Sequence, residues 1–133
     1  MPELRCTIVT PEQTVRDSPA EFVAVTLFDG ELGIAPGHAP LVGRLGYGEM
    51  RITIDGRIER YYVEGGFVEV VGDVVSVLTT RAVPAERIDE AVAQEQLESA
   101  QSRGAKTPEL VEIRDRAVAQ GRAQVRVARR ARG

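Results

Sequence analysis

The sequence predicts an all-β N-terminal domain, a sandwich or barrel, followed by a C-terminal α-helical hairpin. Up to about residue 83, apolar and polar residues alternate and turn residues recur at short intervals, which is typical of short paired strands. After Pro84 the composition shifts to Ala, Glu and Gln, and the apolar residues take a helical spacing. We therefore divide the chain into a β domain, residues 1–84, and a two-helix hairpin, residues 85–133.

Turn pairs separate the strands of the β domain. The Asp-Gly pair at 55–56 in "RITIDGRIERYYVE" and the Gly-Asp pair at 72–73 in "FVEVVGDVVSVLTT" each predict a β-hairpin. "EFVAVTLF", which precedes the Asp-Gly pair at 29–30, is apolar on both faces and is expected deep in the domain. "LRCTIVT" and "QTVRD" flank the Pro-Glu pair at 11–12. The alternation in "LRCTI" places Cys6, the only cysteine, on a buried face as an inert thiol.

The helical hairpin has a seam of small residues. "AERIDEAVAQEQLESAQS" predicts the first helix, and Thr107 and Pro108 predict the N-cap and first position of the second. The apolar stripe of the second helix comprises Leu110, Ile113, Ala117, Val118, Gly121, Val125 and Ala128. Burying a large aliphatic side chain yields about 1.5–3 kcal/mol and alanine far less, while a mid-helix glycine costs about 1 kcal/mol relative to alanine. Such a marginal hairpin either changes conformation or packs as a static pair on the β domain.

Charge is distributed unevenly along the chain. The formal net charge is −3, but residues 1–84 carry −5, residues 85–108 carry −2 and residues 109–133 carry +4, and all seven bases of the last segment are arginine. A basic segment on an acidic body predicts a partner with acidic side chains or phosphates. Nucleic acid is disfavoured, because the chain is acidic overall and no aromatic residue follows residue 84.

Tests for catalytic and metal sites give no candidate. His38 and Cys6 are the only histidine and cysteine, too few for a zinc site of the usual kind. No nucleophile elbow is present, and the only lysine, Lys106, is not part of a P-loop. No apolar run is long enough to span a bilayer. We expect a soluble, intracellular, non-catalytic protein with no direct membrane insertion.

The stretch that begins at Asp29, "DGELGIAPGHAPLVGRLGYGEMRI", resembles the signature "DG.LGILPGHAPL...L..G..RI" of the ε-subunit family of F-type ATP synthases. "TIVTPE", "VEGGFVEVVGDVVSVL" and "ERIDE" fit in the same register. The glycine and proline placement over two dozen residues makes the match specific. It implies a β-sandwich of about ten strands followed by an α-helical hairpin, in agreement with the periodicity.

The resemblance also implies a function. Members of the family are non-catalytic subunits of the central rotor stalk of proton-translocating ATP synthases, which would place this chain at the cytoplasmic face of a bacterial plasma membrane as a peripheral subunit. The sandwich sits at the foot of the γ subunit and rests on the c ring, so that ring rotation reaches γ and the catalytic head. The hairpin folds on the sandwich or extends along γ towards the α and β subunits, where it inhibits ATP hydrolysis. The alternative is a β-sandwich interaction module with a regulatory helical hairpin in another multiprotein assembly.

The resemblance assigns contact residues by position. It implies c-ring contacts at Asp29, Gly30, Glu31 and Gly33. It implies γ contacts at His38, Ala39, Pro40 and Leu41. Its inhibitory basic face corresponds to Arg114, Arg122, Arg126, Arg129 and Arg130. Glycines allow close approach of a partner backbone, and prolines fix the segment beforehand.

Regulatory ATP is a further expectation, although no cofactor is required. Some bacterial members bind ATP through an Ile/Leu-Asp-x-x-Arg-Ala motif at the start of the first helix. The matching residues here include Ile88, Asp89 and Ala93, but Val92 stands where the motif has arginine. Arg122 and Arg126 on the second helix are the candidates to supply the missing charge.

Overall fold

Ten strands and two α-helices make up residues 3–132, the part of the chain that the computed structural model describes. The strands are β1 (Leu4–Val9), β2 (Thr14–Ala20), β3 (Phe22–Leu27), β4 (Gly30–Ile34), β5 (Leu41–Arg44), β6 (Tyr47–Ile54), β7 (Arg57–Glu64), β8 (Phe67–Val71), β9 (Val74–Leu78) and β10 (Ala82–Pro84). The helices are α1 (Glu90–Ser102) and α2 (Pro108–Arg132).

The strands form two five-stranded sheets that face each other. The first sheet has the order β2-β1-β9-β8-β5, and the second has the order β10-β7-β6-β3-β4. Neighbours pair antiparallel except β1 and β9, which run parallel. Alternate residues point between the sheets and are fully buried there: Ile8, Val23, Val25, Ile34, Met50, Ile52, Val63, Val68, Val70, Val75 and Val77. The predicted sandwich fold, with about ten strands and a following helical hairpin, is confirmed.

The predicted hairpin turns are confirmed at the backbone level. Asp55 and Gly56, which join β6 to β7, have φ values of 51° and 74°. Gly72 and Asp73, which join β8 to β9, have φ values of 54° and 63°. Two consecutive positive φ values define the tight turn whose twist matches that of paired strands, and Gly and Asp tolerate them. Cys6 is buried between the sheets, as predicted, and burial raises the pKa of its thiol to about 12.

The first helix starts later than the sequence predicts. A single 3₁₀ turn, Ala85–Arg87, precedes it, and α1 begins at Glu90 because the Asp89 side chain caps it. The Asp89 carboxylate accepts hydrogen bonds from the backbone N–H groups of Ala91 and Val92. The second helix starts where predicted, and Thr107 Oγ1 accepts a hydrogen bond from the Leu110 N–H.

The predicted apolar stripe of α2 is wrong at its N-terminal end. Leu110 and Ile113 are 47% and 51% exposed. The fully buried residues of α2 lie further along and on two faces: Gly121, Ala123, Val125, Val127 and Ala128. One face meets α1 and the other meets the sandwich, so that a single seam at helical spacing does not describe the packing.

Gly121 is the point of closest approach between the helices. A Cβ atom at this position would lie 3.0 Å from Leu97 Cβ and 3.1 Å from Leu97 Cα. The glycine that weakens α2 by intrinsic propensity therefore allows α1 and α2 to pack closely.

Candidate interaction surfaces

The two predicted contact segments lie on one side of the sandwich. β4 is the edge strand of the second sheet and β5 is the edge strand of the first. Residues 35–40 cross between these edges. The predicted c-ring residues lie next to the start of β4 and along it, whereas the predicted γ residues follow its other end, in the crossing segment and at the start of β5.

The crossing segment is a fixed turn. The His38 N–H donates to the Ala35 carbonyl oxygen at 3.1 Å, with Pro36 and Gly37 at the central positions and a φ of 84° at Gly37. The Gly37 N–H donates to Asp73 Oδ1 at 2.7 Å, which ties the turn to the β8–β9 hairpin. The His38 ring hydrogen-bonds locally, with Nδ1 2.7 Å from the Ala39 carbonyl oxygen.

The predicted c-ring residues differ in their surroundings. All four are exposed; Asp29 lies in the two-residue β3–β4 turn, and Gly30 begins β4 opposite Leu27. Gly33 leaves room for an aromatic ring, because a Cβ there would lie 2.8 Å from Phe22 Cζ. The Glu31 carboxylate forms an ion pair with the Arg51 guanidinium on the outer surface of the second sheet. Gly33 therefore has an internal packing role, and Glu31 has an internal partner.

Phe28 was missed by sequence reasoning. It is the first residue of the β3–β4 turn, it is 67% exposed, and the Arg44 guanidinium lies 5.7 Å from its ring centroid. The only sequence signal is an apolar residue at the end of "EFVAVTLF", the run that is expected deep in the domain.

The outer face of the first sheet is open and apolar. We call it the open face and define it by five exposed side chains, between 41% and 67% accessible: Val42, Phe67, Val71, Val74 and Leu78. Strand pairing places Phe67 opposite Leu78 and Val71 opposite Val74, with the Glu69–Ser76 pair between them. Val42 lies opposite Glu69 on β5. The sequence signal was the β8–β9 segment, in which apolar residues occupy both faces.

The hairpin covers the part of the outer face of the second sheet that β6 and β7 form. Tyr62 of β7 is fully buried against Ala123 and Val127 of α2, with Ala85 beside them. The Tyr62 hydroxyl donates to Glu64 Oε1 at 2.8 Å. Burial, together with the Glu64 carboxylate, raises the pKa of Tyr62. Neither of the two α-helices among residues 3–132 is long and apolar enough to cross a membrane.

A buried acid lies beneath the end of α2. Glu49 is 5% exposed, and its Oε1 atom lies 2.9 Å from Arg51 Nη1, 3.0 Å from Arg60 Nη1 and 3.5 Å from Arg130 Nη1. We call these four residues the Glu49 cluster. Nothing in the sequence distinguished this glutamate from the other acids, because its burial depends on pairing between β6, β7 and α2.

Four of the five arginines of the predicted inhibitory face line one groove beside α1, and Arg114 is not among its lining residues: they are Arg122, Arg126, Arg129 and Arg130. Arg129 Nε lies 3.0 Å from Glu90 Oε2, and Arg130 belongs to the Glu49 cluster. Arg114 pairs with its neighbour Asp115 at 3.5 Å. Arg122 and Arg126 are exposed and form no ion pair within residues 3–132.

The residues of the predicted ATP site are split between two grooves. Ile88, Asp89 and Ala93 line a groove of about 270 Å³ together with Arg81 and Arg87. Arg122 and Arg126 line a different groove, beside Gln94, Leu97 and Val125. In this conformation the structure does not bring the two sets together, and Arg81 is the basic residue of the first groove that sequence reasoning missed.

The fold is therefore that of a two-sheet β-sandwich domain with a C-terminal helical hairpin packed on one of its outer faces. Residues 3–85 match the family model described as the ATP synthase, Delta/Epsilon chain, beta-sandwich domain. The chain belongs to the ATP synthase epsilon-chain family, as the resemblance predicted.

Curated relatives match over most of their length. An ATP synthase epsilon chain from Rhodopirellula baltica is 48% identical over 126 residues, which cover 95% of this chain and 98% of the relative. An ATP synthase epsilon chain from Bacillus subtilis is 43% identical over 103 residues, covering 77% and 78% of the two chains.

Solved structures show the same fold at low identity. A chain of the Euglena gracilis mitochondrial ATP synthase, in a structure of OSCP, F1 and c-ring, has a TM-score of 0.85 at 23% identity, covering 92% of this chain and 79% of that one. A chain of the Tetrahymena thermophila mitochondrial ATP synthase central stalk and c-ring has a TM-score of 0.73 at 12% identity, covering 94% and 96%.

Proposed function

We propose that this chain is a non-catalytic rotor subunit of the central stalk of a proton-translocating ATP synthase, peripheral at the cytoplasmic face of a bacterial plasma membrane. It couples rotation of the c ring to the γ subunit and the catalytic head. Family membership supports this assignment. The observation that carries it is the asymmetry of the sandwich, which covers one outer face with its own hairpin and leaves the open face for a partner.

The open face is the proposed contact with γ. Its exposed aliphatic and aromatic side chains form a patch of the kind that marks a protein interface. Leu41 begins β5, the strand that carries Val42, and the fixed turn with His38 leads into it. The predicted γ residues, His38, Ala39, Pro40 and Leu41, therefore border the open face. A close-packed sandwich behind this contact transmits torque with little deformation.

The β3–β4 turn and the adjoining edge strand are the proposed contact with the c ring. Asp29, Gly30 and Glu31 are exposed there, and Phe28 adds an apolar side chain at the same place. A basic group on the ring would compete with Arg51 for the Glu31 carboxylate.

The hairpin is the proposed inhibitory element. In the docked position Arg129 and Arg130 are engaged by the acids Glu90 and Glu49. On release, the arginines would exchange these partners for acidic side chains of the catalytic β subunits. Because an exposed ion pair is worth about 0–1 kcal/mol, several arginines must act together to inhibit ATP hydrolysis.

Regulatory ATP binding at the groove beside Ile88 is a second, independent proposal. Arg81 and Arg87 supply positive charge there, although Val92 occupies the position of the motif arginine. The Asp89 carboxylate caps α1 through Oδ1, which fixes its position in the groove wall. Isothermal titration of the isolated chain with MgATP should show saturable binding that Arg87→Gln weakens, and a flat trace at millimolar nucleotide would reject the proposal.

Co-purification from membranes tests the rotor assignment. An affinity-tagged chain expressed in its own cells should bring down γ, the c ring and the α and β subunits. Glu31→Lys should weaken retention of the c ring, and Glu95→Lys, which changes an exposed acid on α1 outside both proposed sandwich contacts, should not. Capture of a different complex without γ would support the alternative of an interaction module in another assembly.

A further inference from the structure

The Glu49 cluster connects two parts of the molecule that have separate proposed roles. Arg130 comes from the end of α2, whereas Arg51 lies on β6 and also pairs with Glu31 on the edge strand β4. Four charged residues therefore form a continuous chain from the sandwich edge to the hairpin: Glu31, Arg51, Glu49 and Arg130.

The two terminal nitrogens of Arg51 bond two different acids, and one carboxylate oxygen of Glu49 has no hydrogen-bond donor among residues 3–132. Nη1 of Arg51 bonds Glu49 Oε1, and Nη2 bonds Glu31. The buried Oε2 atom of Glu49 accepts no hydrogen bond from residues 3–132. A guanidinium can pair with a carboxylate through two parallel hydrogen bonds, but here one nitrogen of the fork is committed to Glu31. Arg130, on α2, also bonds the same Oε1 atom, with its Nη1 at 3.5 Å.

We propose that Arg51 couples the sandwich edge to the hairpin. When a basic side chain of a partner takes the Glu31 carboxylate, Arg51 Nη2 is released and turns to Glu49 Oε2. Both Glu49 oxygens then accept hydrogen bonds from arginines of the same sheet, Arg51 and Arg60. The ion pair between Glu49 and Arg130 weakens as a result. Occupation of the edge thereby favours release of the hairpin. By linkage, docking of the hairpin weakens binding at the edge by the same factor.

The coupling deepens the proposed function, since its consequence for ATP hydrolysis rests on the hairpin being inhibitory. The charge chain itself is a property of the isolated protein. Its test therefore uses the isolated full-length chain and does not depend on assembly with an ATP synthase.

Thiol trapping measures hairpin release directly. Ala123 is 1% exposed on the side of α2 that packs against Tyr62, so that Ala123→Cys places a thiol where a soluble disulfide reagent reaches it only after the hairpin undocks. Cys6, buried between the sheets, reports unfolding of the sandwich in the same sample. When reclosing is fast, the trapping rate is proportional to the open population.

Neutralising Glu31 mimics its capture by a partner. In the Ala123→Cys background, Glu31→Gln should raise the trapping rate about threefold, the scale of one partly exposed ion pair. Glu49→Gln should raise it about tenfold or more, because three guanidiniums then lose their shared counter-charge. Glu69→Gln, an exposed acid on the open side of the sandwich, is the matched control and should leave the rate unchanged. The Cys6 rate should not change in any of these variants.

The double variant decides whether the effect passes through Glu49. In a Glu49→Gln background, Glu31→Gln should change the trapping rate by a factor of less than about 1.5, because Glu49 can no longer transmit the effect to Arg130. If Glu49→Gln unfolds the sandwich, Arg130→Gln replaces it as the background, with Arg126→Gln as its exposed control. An unchanged or slower rate for Glu31→Gln alone, or a full threefold effect in either background, would overturn the proposal. None of these results bears on whether the chain co-purifies with γ.

Discussion

The sandwich and the hairpin differ in the size and number of the apolar side chains that they bury. The sandwich buries large aliphatic side chains from both sheets, such as Ile52 and Met50, in one cluster between them. The hairpin meets the sandwich in a smaller cluster, in which Ala123 and Val127 of α2 surround the Tyr62 ring. Because stabilisation scales roughly with the apolar area removed from water, the first region is a rigid body and the second is a weakly held appendage. Partner contact and regulation can thus reside in one short chain without sharing a core.

Truncation of a core side chain should produce the largest effect. Ile52 is fully buried between the sheets, and Ile52→Ala leaves a cavity there. We expect the free energy of unfolding to fall by about 2–5 kcal/mol, measured by denaturant unfolding. Val42→Ala, on the open face, should change it by less than about 0.5 kcal/mol. Similar losses in both variants would contradict the assignment of the core.

Alkaline pH should weaken the sandwich through Cys6. Burial raises the pKa of this thiol from 9.0 to about 12, so the unfolded chain loses the proton first. Stability linked to Cys6 is complete below pH 9 and declines between about pH 9 and 12, by at most about 1.4 kcal/mol per pH unit. Unfolding measured at several pH values should show a steeper decline for the wild type than for Cys6→Ala. Parallel curves would show that the thiol does not contribute.

Substitution of Gly121 should loosen only the hairpin. Gly121→Ala gains about 1 kcal/mol of helix propensity but places a methyl group 3.1 Å from Leu97 Cα, and overpacking costs about 1–3 kcal/mol. We expect a net loss of about 1 kcal/mol or less, seen as faster hydrogen exchange in α1 and α2 with unchanged exchange in β6 and β7. Gly104→Ala, in the open connection between the helices, is the control. Slower exchange in the hairpin would mean that Leu97 moves aside.

Local sequence signals predicted the parts of the fold that depend on neighbouring residues. The β6–β7 and β8–β9 turns follow from Asp and Gly at positions that need positive φ, and Thr107 and Pro108 start α2 by their own chemistry. The family match predicted which edge carries the candidate contacts. These features require no knowledge of what lies across the molecule.

Long-range packing decided the features that were missed. Glu49 becomes a buried acid only because α2 returns over β6 and β7. The buried face of α2 changes after residue 120, since two different surfaces contact it there, and Leu110 and Ile113 stay exposed as a result. β8 and β9 carry apolar residues on both faces of their sheet. This pattern does not by itself show whether the second apolar face is buried within the chain or contacts a partner.

Removal of α2 from the assembled complex tests the division between the two regions most directly. A chain truncated after Ser102 keeps every strand of the sandwich and loses all seven arginines of residues 109–133. If the sandwich provides the contacts and the hairpin inhibits, membranes carrying the truncated chain should retain γ and the c ring and should hydrolyse ATP faster than membranes carrying the full chain. Loss of γ, or retained γ with unchanged hydrolysis, would contradict the account.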